Sequence, residues 1–405
     1  MTETLVLASE SANGADALVS FAWIMGAALL APLLSHLTGW RIPAVPLLIG
    51  LGMILGPSIL DLAHAGPGVA MLSEIGVGAL FLLAGFEINV SSLRSAQAGH
   101  ALATWAICLV ICIAAAYFMF NRFDFGLAAV LAIAVTSTAL GTITPMLKQA
   151  GLTGTKVGDA VMIHGAVGEM APIVAMALLL SARSTWVTGL ILLAFFVIAL
   201  VVALAPKIVS RLFPFVKTAF IHGAGSTNQT ILRLIIFMLA VLMAVAAVFE
   251  LDVVLGAFAT GIILNQIIPD EHHKQLEHRL DVVFYSMLIP VFFVVSGMRI
   301  NWDVIADNPW KVLGVVPLIF ICRGLPVFLR ERFTPTGSGL SDVRDQLQVA
   351  FYAAAGLPII VAVMSIAQSS NIISAEHASI FIAGGALTVT VFPIIASALD
   401  YRHEI

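Results

Sequence analysis

Apolar stretches long enough to cross a lipid bilayer recur along almost the whole chain, and they decide what it can fold into. Crossing about 30 Å of hydrocarbon takes roughly 20 residues of helix. Counting such stretches gives about thirteen spans, near 15–37, 42–60, 69–90, 99–120, 126–147, 155–181, 187–211, 229–249, 252–268, 279–298, 309–329, 345–369 and 376–399. The expected fold is an all-α polytopic membrane protein.

Composition agrees, because 60% of the residues are hydrophobic and 10% charged, where a soluble domain carries about 25% charged residues. No Lys or Arg precedes Arg41, so the first apolar run lacks the basic flank of a cleaved signal peptide and reads as a retained span. Cys108, Cys112 and Cys322 all lie inside apolar runs, which argues against a disulfide framework or an accessible metal site. A net charge of -4 without a Lys/Arg cluster gives no sign of a nucleic-acid partner. The basic residues of the connecting segments divide about fourteen to four between the two sides. By the positive-inside bias this places the N-terminus outside and the C-terminus in the cytoplasm, as an odd span count requires. The expected location is the bacterial inner (plasma) membrane.

Away from the span ends the membrane interior contains one clear acid and one clear base. Glu169 lies near the middle of the sixth span and Arg323 within the eleventh. An ionisable side chain at membrane depth marks a functional site by default.

The chain also repeats itself. Leu80 to Asn89, LFLLAGFEIN, returns as Phe292 to Asn301, FFVVSGMRIN, and Gly52-Met53-Ile54-Leu55 returns as Gly261-Ile262-Ile263-Leu264. These offsets near 210 residues pair spans 1–6 (about 15–181) with spans 8–13 (about 229–399) and leave the seventh, about 187–211, as a connector. Equivalent spans are then seven crossings apart, so the repeats are inverted, as in many secondary transporters whose substrate site lies near the midplane where discontinuous helices meet. Thr136-Ser137-Thr138 interrupts the fifth span, and Gly356-Leu357-Pro358 interrupts its mate, the twelfth. Freed carbonyls and hydroxyls there could ligate a desolvated cation. A proline kink, with the hydroxyls bonded back to their own helix, is the alternative.

Several ordered segments resemble the monovalent cation:proton antiporter-2 family: Trp40 to Leu60, Met71 to Leu93, Ala134 to Leu140 (AVTSTAL), Leu255 to Leu264 (LGAFATGIIL) and the FFVVSGM stretch ending at Met298. The resemblance implies one exchanger domain of two inverted six-helix repeats with crossed discontinuous helices 5 and 12. It also implies a carboxylate on helix 6 that takes cation and proton, a nearby base on helix 11, and a homodimer. Glu169 and Arg323 stand at those two positions. The transported Na⁺ or K⁺ and H⁺ would be the small partners, with the lipid bilayer around them and no cofactor.

Four departures matter. Electrogenic sodium/proton members carry two adjacent acids on helix 6, whereas Gly168 precedes Glu169 here, and a lysine is common where Arg323 stands. Arginine stays charged, so a single titratable carboxylate implies electroneutral exchange of one cation for one proton. The Gly-Glu found in helix 12 of relatives is absent, since Leu357 follows Gly356. The sequence stops at Ile405, so no C-terminal nucleotide-binding regulatory domain is expected.

Other polar residues are open to two readings. Asp159 suits a cation funnel or a helix's first turn, and His164 suits a pH-sensing or a packing role. Glu87 and Arg299 sit at span ends, where capping or snorkelling explains them. Asp270 to Asp281, DEHHKQLEHRLD, reads as a solvated amphipathic turn with a metal or pH-sensing alternative. An enzyme would need a nucleophile, a metal cluster or an acid pair beside Glu169, and His-Glu-x-x-His does not occur. A transport-dead sensor or a cation channel on the same scaffold remains the competing function. The choice of Na⁺ or K⁺ is not legible.

Overall fold

The computed structural model describes residues 2–38, 42–88, 95–119, 124–179, a few positions from 193 to 201, 229–249, 251–268 and 270–399. The expected seventh span therefore falls almost wholly outside the described residues. The helices, in chain order, are α1 (Thr2–Leu37), α2 (Ala44–Leu55), α3 (Pro67–Glu87), α4 (Ala96–Met119), α5 (Phe125–Val135), α6 (Leu140–Gln149), α7 (Lys156–Leu179), α8 (Gln229–Val248), α9 (Val253–Ile267), α10 (Asp270–Val283), α11 (Ile289–Met298), α12 (Trp302–Asp307), α13 (Pro309–Ile319), α14 (Leu325–Phe333), α15 (Val343–Ala353), α16 (Leu357–Ser369) and α17 (Ala375–Ala398). No strand occurs among the described residues.

Ten helical segments are long and apolar enough to cross a membrane, and Ala44–Leu55 and Val253–Ile267 are shorter apolar helices. The expected count of thirteen is not reached among the described residues. Two boundaries differ from the sequence reading. Asp270 to Asp281, expected as a turn, is helical and runs through the π-turn Phe284–Leu288 into α11. The eleventh span does not stop near 329, because α14 continues to Phe333; Arg330 and Arg332 in its last turn favour the helix C-terminus.

The chain divides into two compact units, one of Met1–Gly76, Val90–Pro172 and Met287–Ile405, the other of Val77–Asn89 and Ile173–Ser286. In the first, Ala128 to Val135 of α5 and all of α11 are buried. A helix that is apolar all round belongs in the protein interior, whereas α4 turns Leu102, Val110 and Ile111 outward, a lipid-facing side. Asp124, Asp342 and Ser374 each accept a backbone N–H at a helix start, which satisfies donors that the helix leaves unpaired. Among the described residues the three cysteines are free and buried.

Glycine sets close helix crossings, and two of them match each other. In the first unit a Cβ on Gly52 would overlap the Val294 carbonyl, and one on Gly297 would overlap that of Ile49. In the second unit Gly261 meets the Leu82 carbonyl and Gly85 that of Phe258 in the same way. These are the same four positions displaced by the repeat offset, so the internal repeat of the sequence has a counterpart in packing. Small residues let membrane helices approach to backbone contact. Replacing Gly52 by alanine should therefore destabilise the fold by about 1–3 kcal/mol or more. Gly50 has nothing within 4 Å of its missing Cβ, so alanine there should be neutral or slightly stabilising. Thermal unfolding of the two variants in one detergent checks the contrast, and equal melting temperatures would refute the close-crossing account.

Candidate functional site

All the site residues described here lie in the first unit. Helix α5 ends at Val135, residues 136–139 are not helical, and α6 begins at Leu140; α15 ends at Ala353 and α16 begins at Leu357. The two breaks hydrogen-bond to each other. The Ala139 amide donates to the Ala355 carbonyl at 2.9 Å, and Ser137 Oγ lies 3.3 Å from the Gly356 carbonyl. Thr138 Oγ1 donates to the Ala353 carbonyl, and the Thr138 amide donates to the Gly168 carbonyl of α7 at 2.8 Å. Irregular backbone at membrane depth is tolerated where protein satisfies it in this way. Gly356 is required because a Cβ would overlap Ser137, while Pro358 occupies the first turn of α16, where a missing N–H costs nothing.

Thr136, Ser137 and Thr138 are all buried, but they are not equivalent. Thr136 Oγ1 donates back to the Ala132 carbonyl and Ser137 Oγ to that of Ala134, both at 2.7 Å. Thr138 reaches out of its own helix. Each hydroxyl that donates its hydrogen to a carbonyl keeps oxygen lone pairs that can accept or ligate.

Glu169 is 4% exposed, and the Leu140 amide donates to its Oε2 at 3.4 Å. That amide is the N-terminus of α6, where the backbone carries a partial positive charge. Arg323 is fully buried in the π-turn Phe320–Gly324, a local irregularity that redirects a side chain. Its Nε donates to the Ala353 carbonyl at 3.3 Å and its Nη2 to the His164 carbonyl at 2.9 Å and to Thr138 Oγ1 at 3.2 Å. Ala353 is the C-terminal end of α15, the negative pole of that half-helix. The buried acid thus faces a helix N-terminus and the buried base a helix C-terminus, and both meet the strand of backbone around Thr138. Arg323 Nη1 has no hydrogen-bond partner among the described residues, so part of its donor capacity is unused in this state. At Gly168 a Cβ would overlap Thr138 Oγ1 and crowd Arg323. These two side chains leave no room for a larger residue at position 168.

Asp159 lies exposed in the first turn of α7. His164 is buried one turn before Gly168, and its Nε2 lies 3.0 Å from Glu331 Oε1. Glu331 was not singled out in the sequence, where an acid between Arg330 and Arg332 reads as a solvated helix end. It is instead buried, at 4% exposed, because α14 continues past 329 and the turn after it folds back over this side chain. Glu87 is half-buried and Arg299 exposed. Among the described residues no three His, Cys, Asp or Glu side chains cluster to hold a metal ion.

Residues 25–399 match the family model described as sodium/hydrogen exchanger, transmembrane. The chain belongs to the sodium/hydrogen exchanger family. This exchanger-family chain is 24% identical over 405 residues to YjbQ of Bacillus subtilis (strain 168), whose name describes a Na⁺/H⁺ antiporter, an alignment that covers 93% of the chain and 62% of YjbQ. It is 23% identical over 359 residues to the glutathione-regulated potassium-efflux system protein of Haemophilus influenzae, covering 85% of the chain and 55% of that protein. The chain thus spans less than two thirds of the length of either relative. The structure of the sodium proton antiporter MjNhaP1 from Methanocaldococcus jannaschii at pH 8 is similar in fold, with a TM-score of 0.64 at 17% identity over 94% of this chain and 96% of that one. The all-helical exchanger fold expected from the sequence is the one this family member has.

Proposed function

We propose that the protein exchanges a monovalent cation, Na⁺ or K⁺, for H⁺ across the membrane, electroneutrally and by alternating access, with cation and proton competing for the Glu169 carboxylate. The observation that carries this reading is the placement of Glu169, buried against the N-terminus of α6 at the crossing of the two broken helices. A buried carboxylate is costly as a bare anion, so neutralisation by either ligand stabilises it and each ligand displaces the other. The oxygen lone pairs of Thr136, Ser137 and Thr138 and the carbonyls around the break supply ligands that a partly dehydrated cation needs. The carrier half moves only when Glu169 is neutralised by a proton, a cation or Arg323, so the empty charged state is immobile and leak is prevented. Relatives whose names include sodium/proton antiport and potassium efflux support a monovalent cation and leave the choice between the two ions to experiment. In this reading the protein works as a homodimer in the inner membrane, with its C-terminus cytoplasmic and no cofactor; the family resemblance supports the dimer and the basic-residue bias the orientation.

Proton flux in proteoliposomes, with Na⁺, K⁺ and Li⁺ added in turn and the membrane potential set, tests the proposal. Flux that follows one cation and is indifferent to potential is the expected result. Flux that follows potential would overturn electroneutrality, and cation movement without proton movement would indicate a channel.

A further inference from the structure

The buried Glu331 lies outside the site described so far, and its surroundings are built to keep it charged. Oε2 accepts hydrogen bonds from Thr336 Oγ1 at 2.7 Å and Ser338 Oγ at 2.6 Å, and Oε1 faces His164 Nε2 at 3.0 Å. An ionised carboxylate only accepts, so with the two hydroxyls on one oxygen, the imidazole presents its Nε2 hydrogen to the other. Both side chains are almost completely removed from solvent, at 2% and 0% exposed. The other ring nitrogen, His164 Nδ1, is buried and has no hydrogen-bond partner among the described residues. In a neutral imidazole that nitrogen is a bare acceptor, and an orphaned buried acceptor calls for a ligand.

We propose that His164 and Glu331 form a second proton-binding site, in which His164 Nδ1 takes the proton and Glu331 stabilises the imidazolium; this rests on the exchange reading above. The binding step breaks no bond to carbon. A hydronium ion gives up a proton to Nδ1 and leaves as water, and the pair passes from a net charge of −1 to zero. The charged groups that bear on the ring are Glu331 on α14, Arg323 in the π-turn, which donates to the carbonyl of His164 itself, and Arg330, which lies on α14 beside Thr104 and His100 of α4. The polar groups of the covering turn, Thr336 and Ser338, complete the shell.

Position argues for a role in exchange. Five positions along the helix, about 7.5 Å of axial rise, take His164 to Glu169, and Arg323 and Thr138 link the carbonyls of His164 and Gly168 on that same helix. The turn over Glu331 is pinned by Gln346 Nε2 donating to the Glu331 and Leu340 carbonyls and by Lys156 Nζ donating to the Gly339 carbonyl. Gly337 and Gly339, both with positive φ, are exposed. The pair is therefore one short turn of chain from water at the end of α7 where Asp159 lies, the end the basic residues assign to the cytoplasm. A proton there adds positive charge beside Arg323 and opposes cation entry to Glu169. It stays with the pair, since Glu331 is anchored by its own turn, and exchange remains electroneutral. Cytoplasmic acidification should thus slow cation uptake before Glu169 itself is saturated with protons.

Infrared difference spectra of the full-length protein, recorded as pH is stepped, test the site together with the pH profile of flux in proteoliposomes. The wild type should show an imidazole ring band that titrates together with a perturbed carboxylate band, and both should be lost in His164→Gln. The acidic limb of the flux profile should flatten by one proton, about a tenfold smaller change per pH unit. Glu331→Gln should displace the same titration; if that variant fails to fold, His164→Gln still decides. Identical titration spectra and flux profiles in wild type and His164→Gln would overturn the proposal. A titrating ring band in a wild-type protein that moves no cation would sink the exchange reading and leave the proton site standing.

Discussion

Glu169→Gln is expected to abolish cation-dependent proton flux while the protein still inserts and unfolds at a similar temperature. Glutamine keeps the shape of the side chain and can still accept from the Leu140 amide, which lies 3.4 Å from Oε2, so the packing at the break is retained. What is lost is the charge. Removing one member of a desolvated charge interaction costs about 2–5 kcal/mol, and the substituted amide can neither take a proton nor balance a cation. A fall in flux on the order of 100-fold or more follows, with cation binding lost in parallel. Exchange at wild-type rate in this variant, measured in proteoliposomes at saturating cation, would remove Glu169 from the centre of the mechanism.

Gly168→Ala should be nearly as damaging by a different route. The added methyl would overlap Thr138 Oγ1 and crowd Arg323, neither of which can retreat freely: Thr138 is tied to the Ala353 carbonyl and Arg323 to the His164 and Ala353 carbonyls. Overpacking of this kind costs about 1–3 kcal/mol, and here the displaced atoms are those that hold the two breaks and the buried base in place. Flux should drop well beyond what the loss of stability explains. A second acid at the same position, Gly168→Asp, should fail to create a two-acid exchanger for the same reason, and should unfold at lower temperature than Gly168→Ala. Normal flux with potential dependence in Gly168→Asp would show that the space can be remade.

Helix positions were legible from hydropathy because each span has to satisfy its backbone alone in lipid. The repeat was legible because Gly52, Gly85, Gly261 and Gly297 are demanded by backbone contact and cannot drift. The broken helices announced themselves through Thr136 to Thr138 and Gly356-Leu357-Pro358. What the sequence hid is electrostatic and local. Nothing in one-dimensional order says that the α6 amide end faces Glu169 or that the α15 carbonyl end faces Arg323, since each depends on how two interrupted helices cross. Glu331 was hidden by its neighbours, because Arg330 and Arg332 mark a helix end where an acid is ordinarily wet. Its burial depends on Thr336 and Ser338 folding back, a contact set by the left-handed glycines at 337 and 339.

The bond from the Ala139 amide to the Ala355 carbonyl has a bearing on how the protein is made. An unsatisfied backbone group in hydrocarbon costs several kcal/mol, and Ala139 emerges from the ribosome more than 200 residues before its acceptor. A nascent chain must therefore hold its first interrupted helix in an unfinished state, shielded by water or by the insertion machinery, until the later half arrives. The centre of this fold thus closes only once the second break has been made, and a chain truncated before that break has no way to close the first.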